Sequence, residues 1–119
     1  MLDKIFSKGK IVEKAIDASW LRNEAISQNL ANVDTPGYKK KVVPFENLLK
    51  DAMSDKELDK MDIKMVEDNT NLSTRLDGNN VDIESETVAE AANTIKYNTL
   101  IQSLNGQFSR LRSSIREGK

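Results

Sequence analysis

The chain has no histidine and no cysteine. Without cysteine there is no disulfide, no thiolate metal site and no thiol nucleophile. Without histidine the commonest general base and the commonest transition-metal ligand are missing. Carboxylates alone support glycosidase-type chemistry, but no pair of them stands in an apolar setting. The residue set argues against an enzyme, a cofactor and a small-molecule substrate. Aromatic residues make up 5% and hydrophobic residues 38%, which is low for a self-sufficient globule yet too periodic for a disordered chain. Eighteen Lys and Arg balance nineteen Asp and Glu, a net charge of −1 that argues against a general nucleic-acid binder. No apolar run approaches the length of a membrane span. The first twenty residues, MLDKIFSKGKIVEKAIDASW, are broken by charges at Asp3, Lys4, Lys8, Lys10, Glu13 and Lys14, so they do not read as a cleavable secretory signal.

What is present is helical periodicity at both ends. From Leu2 to Asn32 a heptad-like seam runs through Leu2, Ile5, Gly9, Val12, Ile16, Ser19, Asn23, Ile26 and Leu30. Gly9 weakens the first turns. Ser19 and Asn23 put polar groups in the seam, read either as a partly wet face or as a register device. The last segment, from about Val81, is the clearest helix. Acidic Glu84, Glu86 and Glu90 crowd its start, and Arg110, Arg112, Arg116 and Lys119 its end, in the sense the helix dipole favours. Tyr97, Leu100, Leu104, Phe108, Leu111 and Ile115 recur at close to 3.6 residues. Val88, Ala91, Ala92 and Ile95 fall on roughly the opposite side, so the apolar face changes sides along one helix. Burying these side chains in a simple hairpin falls short of the entropy lost in ordering the segment. The sequence therefore predicts a monomer with loose ends that orders on assembly.

Between the helices stands Asn29-Leu30-Ala31-Asn32-Val33-Asp34-Thr35-Pro36-Gly37-Tyr38-Lys39. Thr35 precedes a proline and leaves the helical region. Pro36-Gly37 suits the central pair of a type II turn. Lys39 to Phe45 then reads as extended, since Val42 and Val43 favour strand and Pro44 blocks a helix. Glu46 to Met53 suits a short helix on Leu48, Leu49 and Ala52; residues 54 to 62 read as a solvated charged run, and 63 to 68 as a strand. Asp77-Gly78 marks a tight turn. Asn71-Leu72-Ser73 matches a glycosylation sequon, a pattern frequent by chance. Asp77, Asn79 and Asp82 do not make a calcium loop, because Val81 sits where a ligand is needed. The expected fold is mainly α: long N- and C-terminal helices pairing as a coiled-coil-like unit, around an irregular middle with a short helix and a small β-hairpin. The expected division is an N-terminal helix at 1–33, the turn and extended segment at 34–45, a variable middle at 46–80 and a C-terminal helix at 81–119. The two helices together form one core domain.

The stretch from Asn29 to Lys39 resembles the N-terminal signature of bacterial flagellar axial proteins, the rod and hook group. Asp77-Gly78-Asn79-Asn80-Val81-Asp82, with the helix through Tyr97 to Phe108, resembles their C-terminal signature. Within that group the short length, the TPGYK loop and the FSRLRSSIR ending are similar to the proximal rod members. The resemblance implies a non-enzymatic subunit exported by the flagellar type III apparatus without a cleaved signal. It implies assembly with itself and other rod proteins, beside the inner-membrane ring and its rod adaptor, into a periplasm-spanning rod that transmits torque. Asn29, Asn32, Thr35, Pro36, Gly37 and Tyr38 would form a structural junction and intersubunit contact. Val12, Ile16, Ile26, Leu30, Tyr97, Leu100, Leu104, Phe108, Leu111 and Ile115 would form the assembly interface. Alternatives are another axial component of the rod, or a coiled-coil adaptor or export chaperone, which would not need the TPGY turn.

Overall fold

No proline occurs between Leu2 and Ala31, and these thirty residues form one helix, α1 (Leu2–Ala31). The chain then passes through β1 (Lys41–Val42), α2 (Phe45–Asp55), β2 (Val66–Glu67) and the long α3 (Ile83–Arg116). The structure, a computed structural model, describes residues 2–55, 60–68 and 75–118, with side chains from Lys8 onward and excepting 53–55. The sequon at Asn71 and residues 56–59 of the charged run lie outside the described residues, while Met61 of that run is buried rather than solvated.

α1 and α3 pair antiparallel along their length. Asn29 bonds Glu86, Asn93 bonds the Ser19 carbonyl, and Gly9 lies against Gln107, so one numbering climbs as the other falls. α1 uses its other face on the middle of the chain. Ala18 and Ala25, seven residues apart and so stacked on one side, are buried with Val43, Phe45, Ala52 and Met61. Their small side chains let α2 and the extended segments approach closely, and Leu21, Leu48, Leu49, Ile63 and Met65 close the cluster. The helix-forming stretch around Leu48, Leu49 and Ala52 begins one residue after Pro44, whose carbonyl accepts the first helical bond from Leu48 N at 3.3 Å. The two short strands pair antiparallel, Lys41 opposite Glu67 and Val42 opposite Val66. α2 occupies the connection between them, so this pairing closes over a longer path than a tight turn.

The result is a slab 65 × 29 × 14 Å, little thicker than one helix with its side chains. Among the described residues α3 packs chiefly against α1. Glu86 and Asn93 are its buried residues among those described. Tyr97, Leu100 and Leu104 are half-buried toward α1, whereas Ile83, Val88, Ile95, Phe108, Leu111 and Ile115 are exposed. The switch of apolar face seen in the sequence thus becomes one stripe half-covered as far as Leu104 and exposed beyond it, and a second, with Val88 and Ile95, left exposed.

Arg22 ties α1 to the middle. Its Nη2 and Nε donate to the Val43 carbonyl at 2.8 and 3.2 Å, while Nη1 reaches Glu46 Oε1 at 2.9 Å and Nη2 reaches Oε2. The planar fork serves a strand-end carbonyl and a carboxylate in the first turn of α2 at once. The Arg22 hydrogen bond, against some desolvation, holds the Glu46 carboxyl below its ordinary range. A carboxylate with a lowered folded pKa stabilises above its unfolded pKa, and that contribution is lost as pH falls through the folded value. Glu46→Gln should therefore flatten the fall in stability below about pH 4.5. Arg22→Ala should cost about 1–3 kcal/mol at pH 7. Urea titrations across the pH range would read both.

Candidate functional site

α1 ends without a basic residue in its last turn; its final carbonyls accept from the N–H groups of Asn32 and Val33, and the carbonyls of the turn beyond it are open to further donors. The donors come from the far side of the sequence. The Asn79 side chain is 0% exposed. Its Nδ2 lies 3.0 Å from the Asn32 carbonyl, 3.0 Å from that of Val33 and 2.9 Å from that of Thr35. Two amide hydrogens thus serve three carbonyls, with one shared. Arg75 Nη1 donates to the Val33 carbonyl as well, bringing a positive charge to the negative end of the helix. Asn79 is held in turn by its own loop. Its backbone N–H donates to Asp77 Oδ1 at 3.0 Å, and its Oδ1 accepts from Val81 N at 2.8 Å.

The turn this arrangement supports is the one expected. Tyr38 N donates to the Thr35 carbonyl at 3.3 Å, and Gly37 has φ +74°, as the third position of a type II turn requires. Gly78, at φ +82°, closes the facing turn, and the two meet where Gly37 N donates to the Asp77 carbonyl at 2.8 Å. A Cβ on Gly78 would stand 3.8 Å from Gly37 Cα, an ordinary contact, so it is the positive φ and not lack of space that favours glycine there.

One turn deeper, Asn29 is the second buried asparagine. Its Oδ1 accepts from Lys41 N at 2.8 Å and from the Tyr38 hydroxyl at 3.0 Å. Its Nδ2 donates to the Lys41 carbonyl at 3.0 Å and to Glu86 Oε2 at 3.1 Å. This one amide pairs with the backbone of β1 as a strand neighbour would, and with α3 through Glu86. Burial first, and then the charges of Glu86 and Glu67, push the Tyr38 hydroxyl above its usual range, so it stays a donor. Asn80 completes the seam: its Oδ1 accepts from Lys40 N at 2.6 Å and its Nδ2 donates to the Asp68 carbonyl at 3.1 Å. α3 then starts from Asp82, which caps Glu84 N at 3.1 Å and accepts from the Ser85 hydroxyl.

The residues expected at the junction divide. Asn29 and Tyr38 form the internal lock. Asn32 bonds its own helix through the Gln28 carbonyl at 2.8 Å and accepts from Thr35 Oγ1 at 3.1 Å. Thr35, Pro36 and Gly37 form an exposed tip. Of the residues expected at the assembly interface, Ile26 is buried within the chain. Val12, Ile16, Leu30, Tyr97, Leu100 and Leu104 are half-buried, while Phe108, Leu111 and Ile115 are exposed. Sequence reasoning missed Asn79, Asn80, Glu86 and Arg75 as members of the junction. The signal was present in the doubled Asn79-Asn80 after a Gly turn, a placement that favours side-chain to backbone bonding.

Among the described residues no cluster of three or more metal-type ligands occurs. The amides and carboxylates bond backbone and one another, an arrangement that fixes shape. Asn79→Ala would remove a donor shared by three carbonyls, each of which keeps one other (Thr35 N, Arg75 Nη1 and Tyr38 N), and should cost about 1–2 kcal/mol in chemical denaturation. Gly37→Val has space around it but a forbidden φ, and should cost about 1–2 kcal/mol through the backbone alone.

The family model described as Flagella basal body rod protein matches residues 21–39, the end of α1 and its turn. The chain is 34% identical to the flagellar basal body rod protein FlgB of Bacillus subtilis, over 91% of this chain and 92% of that one. It is 28% identical to FlgB of Escherichia coli strain K12 over 99% of each. Against FlgB of Borreliella burgdorferi it is 30% identical over 71% of this chain and 78% of the other. With its paired terminal helices and asparagine junction, the chain belongs to the FlgB family of flagellar basal body rod proteins, structural components and not enzymes.

Proposed function

We propose that this chain is a subunit of the proximal rod, the drive shaft that joins the inner-membrane ring to the rest of the basal body. Family membership supports association with other flagellar rod proteins and a place in the flagellar basal body. In the finer reading its neighbours are further copies of itself, other rod proteins, and the ring with its rod adaptor protein. It reaches them through the flagellar type III export apparatus, without a cleaved signal peptide. Residues 1–33 and 81–119 form the core domain of the assembled subunit, the turn at 34–45 redirects the chain, and residues 46–80 form the variable middle.

The observation that supports this most is the apolar surface left uncovered on α3. Phe108, Leu111 and Ile115 continue the stripe that Tyr97, Leu100 and Leu104 begin against α1, and they stand exposed, Ile115 by 72%. Val88 and Ile95 are exposed on another side of the same helix. A helix with apolar residues on two faces and one partner is built for more neighbours. Contacts of that kind, made between unlike patches, propagate a helical assembly. The exposed tip at Thr35, Pro36 and Gly37 is offered to the same neighbours.

Phe108→Asp and Ile115→Asp should each abolish incorporation into rods in cells where the variant is the sole copy, while circular dichroism of the purified chain stays nearly unchanged. Leu104→Asp should also block assembly, but Leu104 is half-buried and its loss loosens the α1–α3 pair too. Normal swimming and rod formation by the two exposed-site variants would remove the end of α3 from the interface.

A further inference from the structure

Trp20 is the single tryptophan of the chain, and it is 62% exposed on the outer face of α1. Its indole stands between two hollows. One, of about 340 Å³, is floored by Leu21, Met61 and Ile63 and edged by Lys14, Asp17 and Asp62, the last paired with Lys64 at 2.9 Å. The other, of about 130 Å³, lies against α3 and is lined by Asn23, Asn93 and Tyr97. On α1 itself Glu13, Asp17 and Glu24 are exposed at the spacings that bring side chains into line with Trp20, with half-buried Lys14 beside the same hollow. Asn93 adds a separate sign of a missing partner. It is buried, its Nδ2 is taken by the Ser19 carbonyl at 2.8 Å, and its Oδ1 has no hydrogen-bond partner among the described residues. A buried acceptor left open carries a desolvation cost that a donor entering the hollow would relieve.

We propose that this face of α1 is a docking site for a basic amphipathic helix contributed by a neighbouring subunit, of the kind that the end of α3 carries. The inference rests on the rod-subunit reading above. The end of α3 has the matching features: exposed Phe108, Leu111 and Ile115 in one stripe, beside exposed Arg110, Arg112 and Arg116. None of these arginines makes an ion pair among the described residues. The apolar stripe fits over the two hollows, as an amphipathic helix does in a groove. The guanidinium groups meet the carboxylates, stack on the indole and can donate to Asn93 Oδ1. A chain cannot supply its own α3 end to this face. Trp20 lies opposite the middle of α3, near Asn93, while the basic stretch lies beyond Gly9, a rise of roughly 25 Å further along a continuous helix. The donor is therefore another molecule, displaced along the axis.

The single indole makes the test direct. A synthetic peptide of residues 104–119 contains no tryptophan, so fluorescence of the full chain reports on Trp20 alone. Added peptide should shift the emission to shorter wavelength with saturation, and the affinity should fall by about tenfold from low to high salt. Asp17→Lys combined with Glu24→Lys, two exposed changes that leave the fold intact, should weaken binding at least as much. No saturable shift would overturn the proposal, and so would an equal shift from a peptide with Arg110, Arg112 and Arg116 changed to Glu. Either failure would leave the rod-subunit reading in place, since that is decided by rod incorporation.

Discussion

The turn that follows α1 ties the two halves of the chain together, because its carbonyls on Asn32, Val33 and Thr35 accept donors from the far side of the sequence. Asn79 and Arg75 reach back across more than forty positions to supply them. Because the donors sit immediately before α3, satisfying the turn after one long helix also places the start of the other. The macrodipoles agree with the pairing: a cation and an amide at the carbonyl end of α1, and Asp82, Glu84 and Glu86 at the amide end of α3. Neither helix could slide by a turn without orphaning buried groups, which makes the junction a register device as well as a cap.

Asn29 and Asn93 extend that logic down the helix pair. Each is a buried amide at the α1–α3 interface, and each bonds across it, to Glu86 and to the Ser19 carbonyl. Polar groups at such positions stabilise less than leucine would, but they discriminate against shifted alignments. The apolar interior is correspondingly small, built largely on alanines of α1 with Phe45 and Met61 from the middle. In a slab 14 Å thick, the apolar residues of α3 that α1 does not cover face outward among the described residues.

Much of this was legible in the sequence. The 3.6-residue spacing fixed both long helices, Pro36-Gly37 announced the turn, and Leu48, Leu49 and Ala52 marked α2. The change of apolar face near Tyr97 matches the apolar residues that α3 leaves exposed. What could not be read was partnership at long range. Asn79 and Asn80 look like ordinary turn formers until the folded chain sets them against α1 and β1. The Arg22 clamp on Val43 and Glu46 likewise joins positions with no shared periodicity. Ser19 did sit in the seam as a polar residue, but its carbonyl, not its hydroxyl, receives Asn93, and backbone acceptors leave no mark in a sequence.

The central claim is that the junction holds the two helices together and that support for α3 declines with distance from it. Amide hydrogen exchange on the purified chain tests this most directly, because local protection follows local stability. The account predicts the slowest exchange in residues 22–31 and 83–97 and the fastest in 104–116, with the last segment becoming slow once the chain is built into rods. Uniformly strong protection along the whole of α3 in the free chain would contradict it.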